Sequence, residues 1–236
     1  MSPSLTSTAI ARTDLTPGDI QAMFRVFSEN FNGASMHIFE RDLSNKNWII
    51  QLKDAETGTL VGFSTLALYE TTFNERPLSI VFSGDTIICR EFWGTPELPR
   101  SWIKFVLEKS FSMSQPLYWL LISSGYKTYR FLTVFYKEFY PCNDRPTPPG
   151  MQSLLDFLAA QRFGADYYPA LGIVRFAEGA TPLRAGMAAV TDERLHDPAV
   201  AFFVERNPGH INGDELVCLV RVHPDNFTAA GRRMAR

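Results

Sequence analysis

The stretch LSIVFSGDTIICREFWGTPELPRSWIKFVLEKSF, residues 78–111, decides the fold of this chain. Its first half is almost entirely apolar and β-branched, so we predict a strand over residues 79–90 that is buried on both faces. Its second half carries apolar residues at helical spacing, which predicts a helix over residues 97–111 with Thr95 as N-cap and Pro96 at the first position. The connecting turn, residues 90–95, places unpaired backbone N–H groups at a helix N-terminus. It is therefore either an anion site or an ordinary strand-to-helix connection.

Composition favours one folded unit with a full core. Of the 236 residues, 45% are hydrophobic and 20% are charged. We expect a single domain over residues 1–236 with an inserted helical segment at 142–171. The ends at 1–15 and 227–236 are expected to fray, with a short first strand at residues 8–10 as the alternative for the N-terminal end. A net charge of −2 argues against a nucleic-acid-binding surface.

The cysteines and histidines show no metal-ligand spacing, so no metal is expected. Three cysteines, an odd number, fit a reducing cytoplasm. We find no signal peptide at the N-terminus and no apolar run long enough for a membrane span.

The remaining elements follow from periodicity and turn chemistry. Thr16, Pro17 and Asp19 form a capping-box start for the first helix, which ends near Gly33. We expect residues 71–77 to be a polar link and residues 178–186 a loop. The other predicted helices are residues 35–43, 126–140 and 151–163, and the other predicted strands are residues 48–52, 59–69, 117–122, 172–176, 199–204 and 215–222.

This order of helix pair, β-hairpin, buried strand, helix, strand and helix resembles the GCN5-related N-acetyltransferase (GNAT) superfamily. The resemblance implies an α+β fold (α/β in the broad sense) with a mixed, mostly antiparallel central sheet flanked by helices. It also implies that the fourth and fifth strands splay apart, leaving a slot for an acyl-CoA thioester. The run Phe135-Tyr136-Lys137-Glu138-Phe139 is similar to an aromatic-Tyr-Glu-Lys-like run of that superfamily.

The resemblance assigns donor binding to the end of the fourth strand and the turn after it. A backbone N–H near residues 87–89 would polarise the thioester carbonyl, and the turn and the first helical turn would bind pyrophosphate. The implied donor-binding residues are Ile87, Ile88, Cys89, Arg90, Phe92, Trp93, Gly94, Thr95 and Arg100. The co-substrate is then acyl-CoA, or acyl-phosphopantetheine on a carrier protein.

The turn departs from the superfamily pattern Gln/Arg-x-x-Gly-x-Gly/Ala. It has one glycine, Gly94, and the bulky Trp93 stands where backbone approaches phosphate. Pro96 and Pro99 have no N–H to donate. A weaker grip on CoA, a carrier-bound donor and loss of catalysis all fit this departure.

The expected chemistry needs a proton donor for the leaving thiolate and a base for the amine. Tyr136 is the favoured donor and Tyr129 the reserve, although both can equally be core aromatics. Asp85 is the favoured base because it interrupts an apolar strand, although it can instead face solvent at a bulge beside Gly84. Glu91 and His210 are the further candidates for the base.

The sequence thus predicts an N-acyltransferase that moves an acyl group to a primary amine of a peptide, amino acid or small metabolite. The aromatic residues of 126–140 and the extra helix suggest a long acyl chain. The alternatives are a non-catalytic acyl-CoA-binding protein and a protein-interaction module, with an acyl carrier protein or a second copy of the chain as partner.

Overall fold

The computed structural model describes residues 4–177 and 190–236, and this part of the chain forms eight strands and eight α-helices. The strands are β1 (Leu5–Ala11), β2 (Trp48–Asp54), β3 (Leu60–Phe73), β4 (Arg76–Ile88), β5 (Leu117–Ser123), β6 (Tyr167–Tyr168), β7 (Ile173–Val174) and β8 (Glu215–Val222). The helices are α1 (Pro17–Asn30), α2 (Met36–Ser44), α3 (Glu97–Phe111), α4 (Tyr126–Phe135), α5 (Pro149–Phe163), α6 (Asp192–Leu195), α7 (Pro198–Arg206) and α8 (Ala229–Met234). Among the described residues no helix is both long and apolar enough to cross a bilayer.

All eight strands join one sheet in the order β1-β2-β3-β4-β5-β8-β7-β6. β4 and β5 are parallel, and every other neighbouring pair is antiparallel. The α3 helix supplies the crossover that a parallel pair requires. This confirms the predicted α+β class, with a mixed, mostly antiparallel sheet and the topology implied by the GNAT resemblance.

Helices cover both faces of the sheet. On β5, Trp119 and Leu121 pack with α3, α4 and α7, whereas the intervening Leu120 packs with α5. Alternate strand residues point to opposite faces, so α5 lies across the sheet from α3 and α4. The α1 and α2 helices share the α5 face, where Ile87 packs against Met23 and neighbouring residues.

The hairpin between β3 and β4 is tighter than predicted. Both strands extend to a two-residue turn, Asn74 and Glu75, whose φ angles are 48° and 64°. Two left-handed residues match the twist of antiparallel strands, so pairing reaches the turn itself. The polar link predicted over residues 71–77 is therefore wrong.

Two predicted elements in the second half of the chain are also wrong. Residues 199–204 belong to the α7 helix rather than a strand, because Asp197 accepts a hydrogen bond from the Ala199 N–H and Pro198 opens the helix. The predicted helix 126–140 ends at Phe135, because Tyr136 and Tyr140 instead form β-bridges with other segments.

The ends of the chain are more ordered than predicted. The β1 strand pairs with β2 along its whole length, although residues 1–15 were expected to fray. Phe227 is buried and Thr228 caps α8, so residues 227–236 are not frayed either. The predicted strand 172–176 is limited to Ile173–Val174, and the predicted loop 178–186 lies outside the described residues.

Candidate functional site

The parallel strands β4 and β5 pair only over part of their length. Pairing runs from Ser79↔Leu117 to Ser83↔Leu121 and stops there. Beyond this point β4 continues against β3 alone, while β5 continues against β8. A gap therefore opens in the middle of the sheet.

A β-bulge lies at the point where the strands part. The register of β3 and β4 jumps from Leu66↔Ser83 to Ser64↔Thr86, so Gly84 and Asp85 together oppose Thr65. Two residues against one is the definition of a bulge, and a bulge bends its strand. The bend directs the end of β4 away from β5.

A cavity of about 800 Å³ occupies this gap and has walls on both faces of the sheet. We call its two parts the α2 half and the α3 half. The α2 half is lined by residues of α1, α2, α5 and the bulge, including Phe31, Asp42, Lys46, Phe82, Gly84, Asp85, Arg162, Phe163, Phe176 and Glu215. The α3 half is lined by residues of α3, α4 and nearby strands, including Ile88, Trp93, Leu98, Trp102, Trp119, Lys127, Thr128 and Phe131.

The α2 half holds carboxyl groups whose pKa values are raised. Burial and the nearby charge of Asp42 raise the pKa of Asp85 to about 6, against the opposing effect of Lys46. Burial and the charges of Asp85 and Asp42 raise the pKa of Glu215 to about 8. At neutral pH the favoured state has Asp85 ionised and Glu215 protonated, which gives the two groups different roles.

Lys46 is the buried cation beside these carboxyls. Its side chain is 0% exposed, and its ammonium pairs with Asp42. It lies directly over Gly84, since a Cβ at that glycine would stand 2.6 Å from Lys46 Cε and 2.9 Å from Thr65 Oγ1. A side chain at position 84 would thus displace the lysine.

Arg162, in the last turn of α5, forms another wall of the α2 half. Its guanidinium carbon lies 3.7 Å from the centroid of the Phe82 ring, which is cation–π geometry. Burial lowers the pKa of Arg162, with the charges of Tyr69 and Asp42 acting in the opposite direction. The helical insertion predicted at residues 142–171 therefore contributes to the cavity through α5.

The Trp93 side chain lines the α3 half of the cavity. The Trp93 indole N–H donates a hydrogen bond of 2.9 Å to the Ile88 carbonyl, which fixes the ring at the end of β4. The Lys127 ammonium lies 3.5 Å from the Trp93 ring centroid, and the Arg90 guanidinium lies 5.9 Å from it. Burial lowers the pKa of Lys127, and the charges of Arg90 and Arg194 lower it further. Arg90 and Lys127 thus lie beside Trp93, Arg194 acts on Lys127 through its charge, and none of the three joins an ion pair among the described residues.

The backbone of β4 also presents donors to the gap. The Cys89 N–H bonds to the Val61 carbonyl, at 2.8 Å, in the register that pairs Ile88 with Gly62. Antiparallel pairs alternate between bonded and non-bonded, so the N–H groups of Ile88 and Thr86 point away from β3. Both therefore point toward the side where β5 has departed.

The predicted proton donors lie outside the cavity. Tyr136 is 2% exposed, packs against Trp119 and Phe227, and has no hydrogen-bond partner for its hydroxyl. Tyr129 is 0% exposed and donates a hydrogen bond of 3.0 Å to the Pro141 carbonyl. The two were expected on one helix face, but Tyr136 lies beyond the end of α4. Burial raises the pKa of both hydroxyls.

Of the predicted bases, Asp85 lines the cavity and the others do not. Glu91 is exposed on a short 3-10 helix, Arg90–Phe92. His210 is buried, with its Nδ1–H bonded to the Asn207 carbonyl at 2.8 Å.

Some of the predicted donor-binding residues line the cavity and others do not. Ile88 and Trp93 line the cavity, whereas Ile87 packs under α1 and Cys89 lies between two core clusters. Thr95 does not cap α3; its hydroxyl donates to the Phe92 carbonyl at 2.9 Å, and Pro96 is the N-cap. The remaining members of the predicted set, Arg90, Phe92, Gly94 and Arg100, belong to the turn and the first turn of α3.

The polar wall residues that the sequence did not predict include Lys46, Lys127, Arg162 and Glu215. Each looks like an ordinary solvated charge at the end of a helix or strand. The one available signal was Glu215, an acidic residue directly before the apolar run of β8.

No protein-family model matches the chain, and no curated protein matches its sequence. The chain is similar to parts of several solved structures. The GNAT family N-acetyltransferase YhbS from Escherichia coli, in complex with CoA, is 14% identical, with 56% of this chain and 70% of that chain covered and a TM-score of 0.40. An acetyltransferase of Trypanosoma brucei is 15% identical, with 61% and 98% covered and a TM-score of 0.40. NAA60 from Arabidopsis thaliana, in complex with a bisubstrate analogue, is 10% identical, with 59% and 90% covered and a TM-score of 0.40.

Proposed function

We propose that this chain is a GNAT acyltransferase that moves an acyl group from an acyl-CoA thioester to a primary amine. One observation carries the proposal. The cavity occupies the gap between β4 and β5, with the Lys127 cation in its α3 half and carboxyls of raised pKa in its α2 half. Two substrates can thus meet within the sheet, and holding them together supplies a large part of the rate acceleration.

The donor enters on the α3 side. Arg90 and Lys127 lie beside Trp93, and the charge of Arg194 also acts on Lys127. Such a group of cations suits a ligand with several phosphate charges. CoA carries a diphosphate and a further phosphate, whereas a carrier-bound phosphopantetheine carries one phosphodiester. The arrangement therefore favours CoA as the donor.

The thioester carbonyl lies at the end of β4 in this proposal. The Ile88 N–H, and the Thr86 N–H beside it, donate to the oxygen as negative charge develops. This narrows the region predicted from the sequence, residues 87–89, to one principal donor.

The amine enters on the α2 side as an ammonium ion. Asp85, ionised at neutral pH, takes its proton, and the free amine attacks the thioester carbon. The tetrahedral intermediate then loses a second proton from its nitrogen to solvent and expels the thiolate. Lys127 stabilises the thiolate and can protonate it, since its own pKa is already lowered. An amide and a free thiol result.

The acyl chain length is a separate proposal. The walls of the α3 half include Leu98, Trp102, Trp119 and Phe131, and such apolar surface suits an acyl chain longer than acetyl. Each buried methylene contributes about 0.8 kcal/mol, roughly a fourfold gain in affinity. Competition between acetyl-CoA and octanoyl-CoA tests this point, and a preference for acetyl-CoA contradicts it.

A non-catalytic acyl-CoA-binding protein is the second candidate. It is favoured by the start of α3, where Pro96 and Pro99 have no N–H and the Glu97 carboxylate repels phosphate. Stable binding of an acyl-CoA without amine-dependent turnover would support it.

The deciding experiment measures amine-dependent release of CoA thiol from acetyl-, octanoyl- and palmitoyl-CoA over a panel of amines. Asp85→Asn should lower the rate at least 100-fold. Glu40→Gln is the matched control, because Glu40 is an exposed carboxylate of α2 that does not line the cavity. No amine-dependent release with any donor would overturn the proposal.

A further inference from the structure

Arg162 is a cation without an anionic partner. None of the ion pairs found in residues 4–177 and 190–236 includes it. Its guanidinium carbon lies 3.7 Å from the centroid of the Phe82 ring in the cavity wall. The Tyr69 side chain accepts a hydrogen bond from it, which does not use all five of its N–H groups. A planar guanidinium in this setting is suited to bind a carboxylate through two parallel hydrogen bonds.

The other two cations that line the α2 half differ from Arg162 in pairing or in exposure. Lys46 is paired with Asp42, and Arg41 is exposed. The half therefore has an unpaired guanidinium in one wall and, in the bulge, the Asp85 carboxylate. A ligand that complements both carries a positive and a negative charge.

The surface of the same half between the charged groups is aromatic. Phe31, Phe163 and Phe176 line it, and Phe163 packs edge-on against both Phe82 and Phe176. These rings offer no hydrogen bonds, so they suit an apolar substituent rather than a sugar or a polyamine.

We propose that the amine acceptor is an amino acid with a free carboxylate and an apolar side chain, its carboxylate bound by Arg162 and its amine directed toward Asp85. This rests on the proposed acyl transfer and specifies the second substrate. Arg162 is then a residue that determines acceptor specificity. The α5 helix, which belongs to the inserted segment, is the element that supplies it.

The test compares L-leucine and L-phenylalanine with their primary amides, which keep the amine and lose the carboxylate. The wild-type protein should prefer the acids at least tenfold in kcat/KM. Arg162→Gln should lower kcat/KM for the acids by 10- to 100-fold, mostly through KM, and change the amides less than threefold. Arg162→Lys should restore part of the preference. Lys109→Gln, which removes a cation lying against Trp48 outside the cavity, should change nothing.

The failures of the two proposals are distinguishable. If amides and acids react equally, or if Arg162→Gln impairs both equally, the acceptor inference is overturned while acyl transfer stands. If no amine is acylated, acyl transfer itself fails, and thermal unfolding then decides the inference. L-leucine must raise the unfolding temperature more than L-leucinamide does, and Arg162→Gln must abolish that difference; any other result overturns it.

Discussion

Lys46 and Asp42 form one ion pair but act on Asp85 in opposite directions. The lysine charge lowers the pKa of Asp85, and the aspartate charge raises it. We therefore predict that Lys46→Met raises the pKa of the proposed base, and that Asp42→Asn lowers it. A merely structural role for the pair predicts that both substitutions impair the protein in the same way.

The size of the expected shift in the pKa of Asp85 follows from how close Lys46 lies to the β-bulge. Lys46 Nζ is 2.8 Å from the position of a Cβ on Gly84, the residue next to Asp85. An opposite charge at such range shifts a carboxyl pKa by one or more pH units. Starting from about 6, the pKa of Asp85 should reach about 7 in Lys46→Met and about 5 in Asp42→Asn.

The assay is the pH dependence of kcat/KM, which reports the free enzyme. The base must be ionised, so the rate falls on the acid side of its pKa. At pH 5 Lys46→Met should be about tenfold slower than wild type and Asp42→Asn several-fold faster, while all three converge above pH 8. Lys53→Met, which changes a half-buried lysine outside the cavity, is the matched control. Acid limbs that move in the same direction, or do not move, would refute the assignment of Asp85.

Three further substitutions test the site and its surroundings. Glu215→Gln should flatten the decline in unfolding free energy between pH 5 and pH 8, measured by urea titration. The native Glu215 carboxyl keeps its proton up to about pH 8, whereas the unfolded chain releases it near pH 4.5. Wild-type stability therefore falls as the pH rises. Lys127→Met should raise KM for acyl-CoA about tenfold at low salt, with a smaller effect at high salt. Tyr136→Phe should leave kcat within twofold and raise the unfolding free energy by up to about 1 kcal/mol, because it removes a buried unpaired hydroxyl; a collapse of activity would return Tyr136 to the mechanism.

Helices whose signals are local in sequence were predicted correctly. The Thr16 and Asp19 capping box is present as predicted, and α3 covers the predicted residues 97–111. These elements were readable because each is encoded by residues within one or two turns of one another.

Two elements were predicted wrongly for different reasons. Residues 199–204 include two valines and two phenylalanines, which favour a strand, yet the local start signal at Asp197 and Pro198 makes them helical. Tyr136 leaves its helix because its backbone pairs with Phe227, almost a hundred residues away in sequence. No local propensity carries that information.

For the same reason, only some of the residues that line the candidate site could be predicted from the sequence. Asp85 attracts attention as a charge inside an apolar strand, and the structure places it in the cavity. Lys46 and Arg162 become wall residues only when the α2 and α5 helices are folded onto the sheet. A solvated lysine and a buried one look identical in a sequence.

The passage through the middle of the sheet has a kinetic consequence. In the proposed mechanism the donor occupies the α3 half and the acceptor the α2 half, so the two do not compete for one site and either can bind first. Cys89 does not line the cavity, so its thiol is not in position to form an acylated enzyme intermediate. Both molecules must then be present at once, and reciprocal plots of initial velocity at several fixed donor concentrations should intersect rather than run parallel.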